Sequence, residues 1–315
     1  MKAAVFAALI GMALAAPVRA ATPGIEDPEA TVVQELVIQA KATGPAWWTV
    51  QRGGAVVHIL GLPDEPLPKG LRWDQAALQR KLTGASVLIM PVEARAGLLD
   101  IPALLRMRSR LKSHAPMEQG LPEPLQARFA AARTRLGKPA PRYAGWDPIV
   151  AGMILSGDFH DAAKVSPREP LGAIRGAASR LGVPVRPAAK LRAVALFDPA
   201  VRGLTPAISQ GCLAEALDEV DAGAGALNAA GGAWARGDVQ GVLAGPRGAS
   251  ACLLLINGGA SIWRQAMADF ADAVAGALQK PGHAVAVLPI RALIARDGVL
   301  ERLKARGFEV SGGGI

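Results

Sequence analysis

Two largely apolar stretches, Ala46 to Val50 and Ala55 to Leu60, read as strands, and the intervening Arg52-Gly53-Gly54 predicts a hairpin between them. Trp73 to Leu82 returns to helical spacing, with Asp74 placed to cap its start and Gly84 to end it. A short apolar run, Val87 to Val92, then fits a buried strand. This β-β-α-β order opens an α/β sheet. Between about Ile101 and Val183, helical patterns are punctuated by Pro116, Pro122, Pro139, Pro141, Pro148, Pro167 and Pro170, which predicts a helical insertion in the middle of the chain. Val183 to Val185 predicts a return to the sheet, followed by helices over Pro206 to Ala222, Gly225 to Gly237 and Ala260 to Gln279. A strand at Ala284 to Leu288, a helix from Val299 to Arg306 and a strand near Phe308 to Val310 complete the pattern, with Ser311-Gly312-Gly313-Gly314 read as a frayed tail. The expected fold is α/β, a central mixed sheet flanked by helices.

The amino-terminal end has a different character. Lys2 precedes an apolar run from Ala3 to Ala16, and Val18-Arg19-Ala20 suits signal cleavage before Ala21. The run is shorter than the roughly 20 residues a membrane-spanning helix needs. Residues 1–20 are therefore read as a signal peptide and 21–315 as a single exported domain, periplasmic or secreted, with no membrane span in the mature chain. Ala21 to Ala30 reads as a loose lead-in, and Thr31 to Ala42 has helical spacing through Val33, Leu36, Val37 and Ala40.

Losing Lys2 and Arg19 lowers the formal charge from +9 to +7, basic enough to favour anionic envelope components by long-range attraction. The densest basic run, Arg106 to Lys112, reads as a solvated helix face. Phe129, Tyr143 and Trp146 are not interleaved with it, so no stacking platform for nucleic acid is expected. The two cysteines, Cys212 and Cys252, could close a disulfide in an oxidising compartment or remain two buried thiols.

The stretch from Val56 to Trp73 resembles the opening motif of the TraB/GumN family, relatives of the Tiki-like metallopeptidases, in which a strand runs into Gly-Thr-x-His and then Leu-Pro-x-x-Leu-x-Trp. Here Gly61 and the Leu67-Pro68 to Leu71-x-Trp73 segment match, and Asp64 stands at the histidine. Further matches follow in order: Gly182-Val183-Pro184-Val185, Ala233-Trp234-Ala235-Arg236-Gly237-Asp238, Arg264-Gln265 for the family's Arg-Asn, and Asp297-Gly298-Val299-Leu300. The resemblance implies an α/β domain whose helical insertion shapes a cleft, and a divalent metal in active relatives. The polar positions it would require are altered. The second motif histidine falls on Ala292, the strand-end glutamate on Pro91, and a further Leu-Glu-Thr element on Ala188-Ala189-Lys190.

A metal held for hydrolysis needs about three convergent ligands and an open position for water, and Asp64 alone supplies one. The expectation is a degenerate site without metal or cofactor, in a pseudoenzyme that binds a peptide, an anionic envelope component or an envelope protein. The alternative is a metal-dependent hydrolase with a displaced ligand set, for which Asp64, Glu93 and His58 are the weak candidates. The same three also read as two loop acids and a strand histidine. Gly61 and Arg264 are the expected ligand-binding positions, Arg264 because it matches a residue that lies near the cleft of relatives; a helix-fixing salt bridge would explain it as well. His160, in Asp158-Phe159-His160-Asp161, reads as part of a helix's first turn with Asp158 as its cap. His114 and His283 read as loop residues, and Trp234 as a packing residue.

Overall fold

A computed structural model of the protein describes residues 44–166 and 169–313. The expected signal peptide and the helix expected over Thr31 to Ala42 lie outside the described residues.

The hairpin forms as the spacing predicts, from β1 (Trp47–Arg52) and β2 (Ala55–Leu62). Gly53 and Gly54 close it with φ of 53° and 81°, backbone that favours glycine at both central positions of a tight turn. After β3 (Leu67–Pro68), α1 (Gln75–Leu82) starts on Asp74, whose carboxylate accepts from the Ala77 N–H. Next come β4 (Leu88–Met90) and β5 (Glu93–Arg95), then the helices α2 (Ile101–Arg110), α3 (Glu123–Arg135), α4 (Pro141–Ala144) and α5 (Pro148–Ala162). The chain continues through β6 (Val165–Ser166), α6 (Leu171–Arg180), β7 (Val185–Pro187), β8 (Lys190–Arg192) and α7 (Ala193–Arg202). In α8 (Pro206–Ala235), Gly223 leaves helical geometry with φ 77°, so two helical stretches meet there, close to the expected division. The remainder is α9 (Val239–Leu243), α10 (Gly248–Leu255), α11 (Gly259–Ala277), β9 (Gly282–Pro289), α12 (Ile290–Ile294), α13 (Val299–Ala305) and β10 (Glu309–Gly312).

The main sheet is mixed, in the order β10-β1-β2-β9-β4-β7. The β10-β1-β2 part is antiparallel, while β2, β9, β4 and β7 run parallel. Its centre, β9, is buried from Ala284 to Leu288, as a strand covered on both faces should be. Around it a core of Trp48, Ile59, Leu88, Phe270 and Leu300 forms. A second core lies in the helical insertion, where Phe129 and Tyr143 meet edge to face at 5.1 Å among Leu155, Leu213 and Leu217. α5 can lie close on α8 because Gly152 has no side chain there; a Cβ would stand 3.3 Å from Leu213 Cα. Among the described residues, no helix is long and apolar enough to cross a membrane.

Three local readings are corrected. The tail through Gly312 is a strand: Trp48 pairs with Gly312, and the Gly313 N–H donates to the Trp47 carbonyl at 2.6 Å. Glycine permits that approach, since a Cβ on Gly312 would lie 2.5 Å from the same carbonyl. His283 is in β9, level with Val56, because parallel pairing with β2 overrides the local Pro-Gly loop signal. His160 sits in the last turn of α5, whose start is capped by Asp147 with Pro148 behind it. Asp158 is instead a buried acid bonded by Arg142 at 2.6 and 2.7 Å and by the Tyr143 hydroxyl at 2.8 Å. Burial pushes its carboxyl up, but those bonds and Lys138 outweigh it and hold it below the ordinary range.

Candidate functional site

Four parallel strands deliver the altered motif positions to one edge. Gly61 lies level with Leu288, Leu62 with Pro289, and Met90 with Pro187. The segments that leave these strands therefore emerge at the same carboxyl ends: Pro63 to Glu65, Pro91, Ala188-Ala189, and Ile290 to Ala292. In open α/β sheets this is the edge at which ligand crevices form. Gly61 itself is a packing position, since a Cβ there would lie 2.5 Å from the Trp48 ring and 2.6 Å from Ile290. Its carbonyl accepts from the Trp234 indole N–H at 2.7 Å, and Trp234 leans on Trp73 with ring centroids 5.2 Å apart. Trp73 of the motif and Trp234 of α8 thus brace the end of β2 that leads to Asp64.

Asp64 is not an ordinary loop acid. Its Oδ2 lies 3.1 Å from Arg291 Nε, with side-chain exposures of 7% and 8%, so both charges are withdrawn from water. Arg291 also donates to the Leu243 carbonyl and, at 3.2 Å, to the Gly245 carbonyl. It is fixed from the motif loop on one side and from the end of α9 on the other. Its neighbour Ala292, at the second histidine position, is buried in the sheet core. Asp64 is thus joined through a guanidinium to the end of α9, and the side chains of Pro91, Ala189 and Ala292 offer no donor to a metal ion.

A second polar group adjoins the first. Glu65, Glu219 of α8 and His160 of α5 bring one ligand atom each within 4.8 Å of one another, and among the described residues this is the group of three or more His, Cys, Asp or Glu so arranged. His160 Nε2 and Glu219 Oε1 are in direct contact. The Glu65 carboxyl is raised to about 9, first by burial, then by the charge of Glu219 and a hydrogen bond to it, then by Asp64, with Arg291 opposing. At neutral pH Glu65 is therefore protonated and donates to Glu219. Gly248, at φ 46°, makes room for this carboxyl, since any Cβ there would collide with it. Beside Glu219 a cleft of about 230 Å³ opens between Glu215, Asp218, Ala244, Arg247 and Gly248. Two carboxylates and an imidazole are donor types that suit zinc, manganese or cobalt. Binding would displace the Glu65 proton.

No sequence signal marked this group, because its members lie on three separate elements and only Glu65 adjoins a motif. The clamp that supports it was half visible. Cys212 and Cys252 form a disulfide joining α8 to α10, two helical turns before Glu219 and one turn after Gly248.

The remaining candidates go elsewhere. Asp64, Glu93 and His58 are not brought together as a ligand group. Glu93 is on β5, where an Arg95 hydrogen bond holds its carboxyl below the ordinary range. His58 lies mid-strand in β2, its Nδ1 3.4 Å from both Thr49 Oγ1 and Lys81 Nζ. Arg264 is exposed on α11, while its neighbour Trp263 is buried. The basic run of α2 is solvated, as read, but Trp146 does pack against it: Arg108 and Lys112 lie 5.5 and 5.4 Å from its ring.

The class defined by these features is an α/β protein whose motif loops converge at the carboxyl ends of parallel strands under a helical insertion. The TraB/PrgY/gumN family profile matches residues 46–312, nearly all of the described chain, and the protein belongs to that family. No curated protein and no solved structure gives a match.

Proposed function

We propose that this is an exported, non-catalytic member of the TraB/PrgY/gumN family, which binds a peptide or an envelope component and does not hydrolyse it. The observation that carries this reading is the buried Asp64–Arg291 pair. A positive guanidinium is paired with the acid that stands at the first motif's histidine position, so a divalent cation would have to displace a charge already paired with Asp64 and bonded to two carbonyls. Without a metal-bound water, the general acid and base positions filled by proline and alanine supply no substitute. Export is supported by the amino-terminal apolar run and by the Cys212–Cys252 disulfide, a bond that persists in oxidising compartments. Residues 21–315 then act as one domain. The test is turnover of peptide and ester substrates by purified protein supplied with zinc, manganese or cobalt. The expected result is no turnover above that of Asp64→Ala; activity that this variant abolishes would overturn the proposal.

A second reading is favoured by the convergence of Glu65, His160 and Glu219. It is a metal-dependent hydrolase whose ligand set has moved one residue along the motif loop and into the helical insertion. It requires near-stoichiometric metal that is lost in both Glu219→Gln and His160→Gln. Metal content unchanged by either substitution removes it.

A further inference from the structure

On one face of the main sheet, toward the end remote from the motif loops, a concavity of about 650 Å³ lies between the β1-β2 hairpin, the start of β9 and α1. Its polar walls are Thr49, Gln51, His58, Arg80, Lys81 and His283, and among the described residues its lining contains no carboxylate. The nearest acids bond from outside: Asp74 stands 3.8 Å from Arg80, and Glu309 accepts from Gln51 at 2.8 Å. Lys81 points inward, its ammonium 3.4 Å from His58 Nδ1 and 5.2 Å from the Trp47 ring centroid. The His283 ring is fixed by its Nε2 on the Lys81 carbonyl at 3.1 Å, with the two imidazoles 6.3 Å apart. The electrostatics agree with this inventory. Burial, then Lys81, then His283 lower His58 to about 4, so it is a neutral donor at physiological pH. Burial and then Arg80 lower Lys81. Among the described residues no acid contributes to either shift, and Arg80, paired with Asp74 at the rim, is the one cation here with an acidic partner.

The geometry points to this concavity as a binding site for the phosphoryl group of a small phosphate ester, with Lys81 as the central cation, Arg80 as the outer one and Thr49, His58 and His283 as further hydrogen-bonding groups. Two cationic side chains complement a phosphoryl group, which carries a charge of about −1.5 to −2 at neutral pH. The volume exceeds that of a lone phosphate and leaves room, along Val56 and Ala77, for the group that bears it. The site is remote from Asp64 and is independent of whether the motif edge binds metal.

Calorimetric titration of the intact protein with inorganic phosphate at low ionic strength tests the proposal. One saturable site is expected. It should be weakened about tenfold or more in Lys81→Met, the loss of a charge-assisted hydrogen bond, and by about twofold to fivefold in the more exposed Arg80→Met. Both positions are at the surface of α1, and circular dichroism and thermal melting verify that the variants fold. Co-sedimentation with vesicles of phosphatidic acid, whose head is a phosphomonoester, and phosphatidylcholine, against phosphatidylcholine alone, distinguishes the source. Vesicle binding lost in Lys81→Met assigns the phosphoryl group to a lipid head, and saturation by phosphate without vesicle binding assigns it to a free ester. No saturable binding to either probe, or binding that neither substitution changes, overturns the proposal.

Discussion

Removing the Asp64 carboxylate should cost far more than removing a surface acid. With both partners below a tenth exposed, the Asp64–Arg291 pair belongs with buried ion pairs. Breaking one leaves an uncompensated charge and costs about 3–5 kcal/mol, against about 0–1 for an exposed pair. Asp64→Ala leaves the guanidinium with the Leu243 and Gly245 carbonyls alone. Arg291→Met removes the charge but strips those carbonyls of their donor, at about 1–3 kcal/mol for a buried group left unsatisfied. The double variant should therefore recover a substantial part of the Asp64→Ala loss without reaching wild type. Denaturant unfolding of the four proteins gives the coupling energy, expected to be about 2 kcal/mol or more, and Tm should fall by about 6–15 °C in Asp64→Ala. An Asp64→Ala variant within about 0.5 kcal/mol of wild type would refute the reasoning, since the pair would then be solvated and no obstacle to a cation.

Further outcomes follow from the same geometry. The Cys212–Cys252 bond closes a separation of 40 residues, and chain-entropy reasoning gives about 4 kcal/mol for it. Cys252→Ser or reduction should lower the denaturant midpoint accordingly, and equal midpoints with and without reductant would contradict this. Because the fold raises the Glu65 carboxyl from 4.5 to about 9, its contribution to stability is fully present below 4.5 and is lost as pH rises toward 9. The slope it adds is at most about 1.4 kcal/mol per pH unit; Glu65→Gln should flatten a Tm profile over that window, and an unchanged profile would show that Glu65 is not the group. Gly61→Ala should destabilise by about 1–3 kcal/mol or more through its collision with Trp48 and Ile290, measured by thermal melting; a neutral result would mean that β2 can shift.

Short-range physics made much of the fold readable. Gly53-Gly54 announced the hairpin, Asp74 the start of α1, and the uninterrupted run before Pro289 the central strand, because each depends on residues a few positions apart. Readings failed where distant pairing reversed a local signal. His283 follows a Pro-Gly pair yet is held in β9 by β2, and the glycine tail is a strand because β1 accepts its backbone. Asp158 resembles a cap, but the Asp147-Pro148 start lies a full helix earlier, and tertiary contacts with Arg142 and Tyr143 claim its carboxylate. At the site, the motif comparison drew attention to Asp64 but not to the cation paired with it. Arg291 is the residue before Ala292, and its direction is set by how α12 turns off β9. Glu219 and His160 are ordinary residues of two helices until α5 packs on α8 and brings them to the loop that carries Glu65.

In the proposed function a protein side chain, Arg291, holds the place a metal ion would need beside Asp64. Anomalous diffraction from crystals soaked with zinc tests it most directly. The expected result is no zinc within bonding distance of Asp64, with the Arg291 guanidinium still beside its carboxylate. A zinc ion bound to Asp64, with Arg291 swung away, would contradict it.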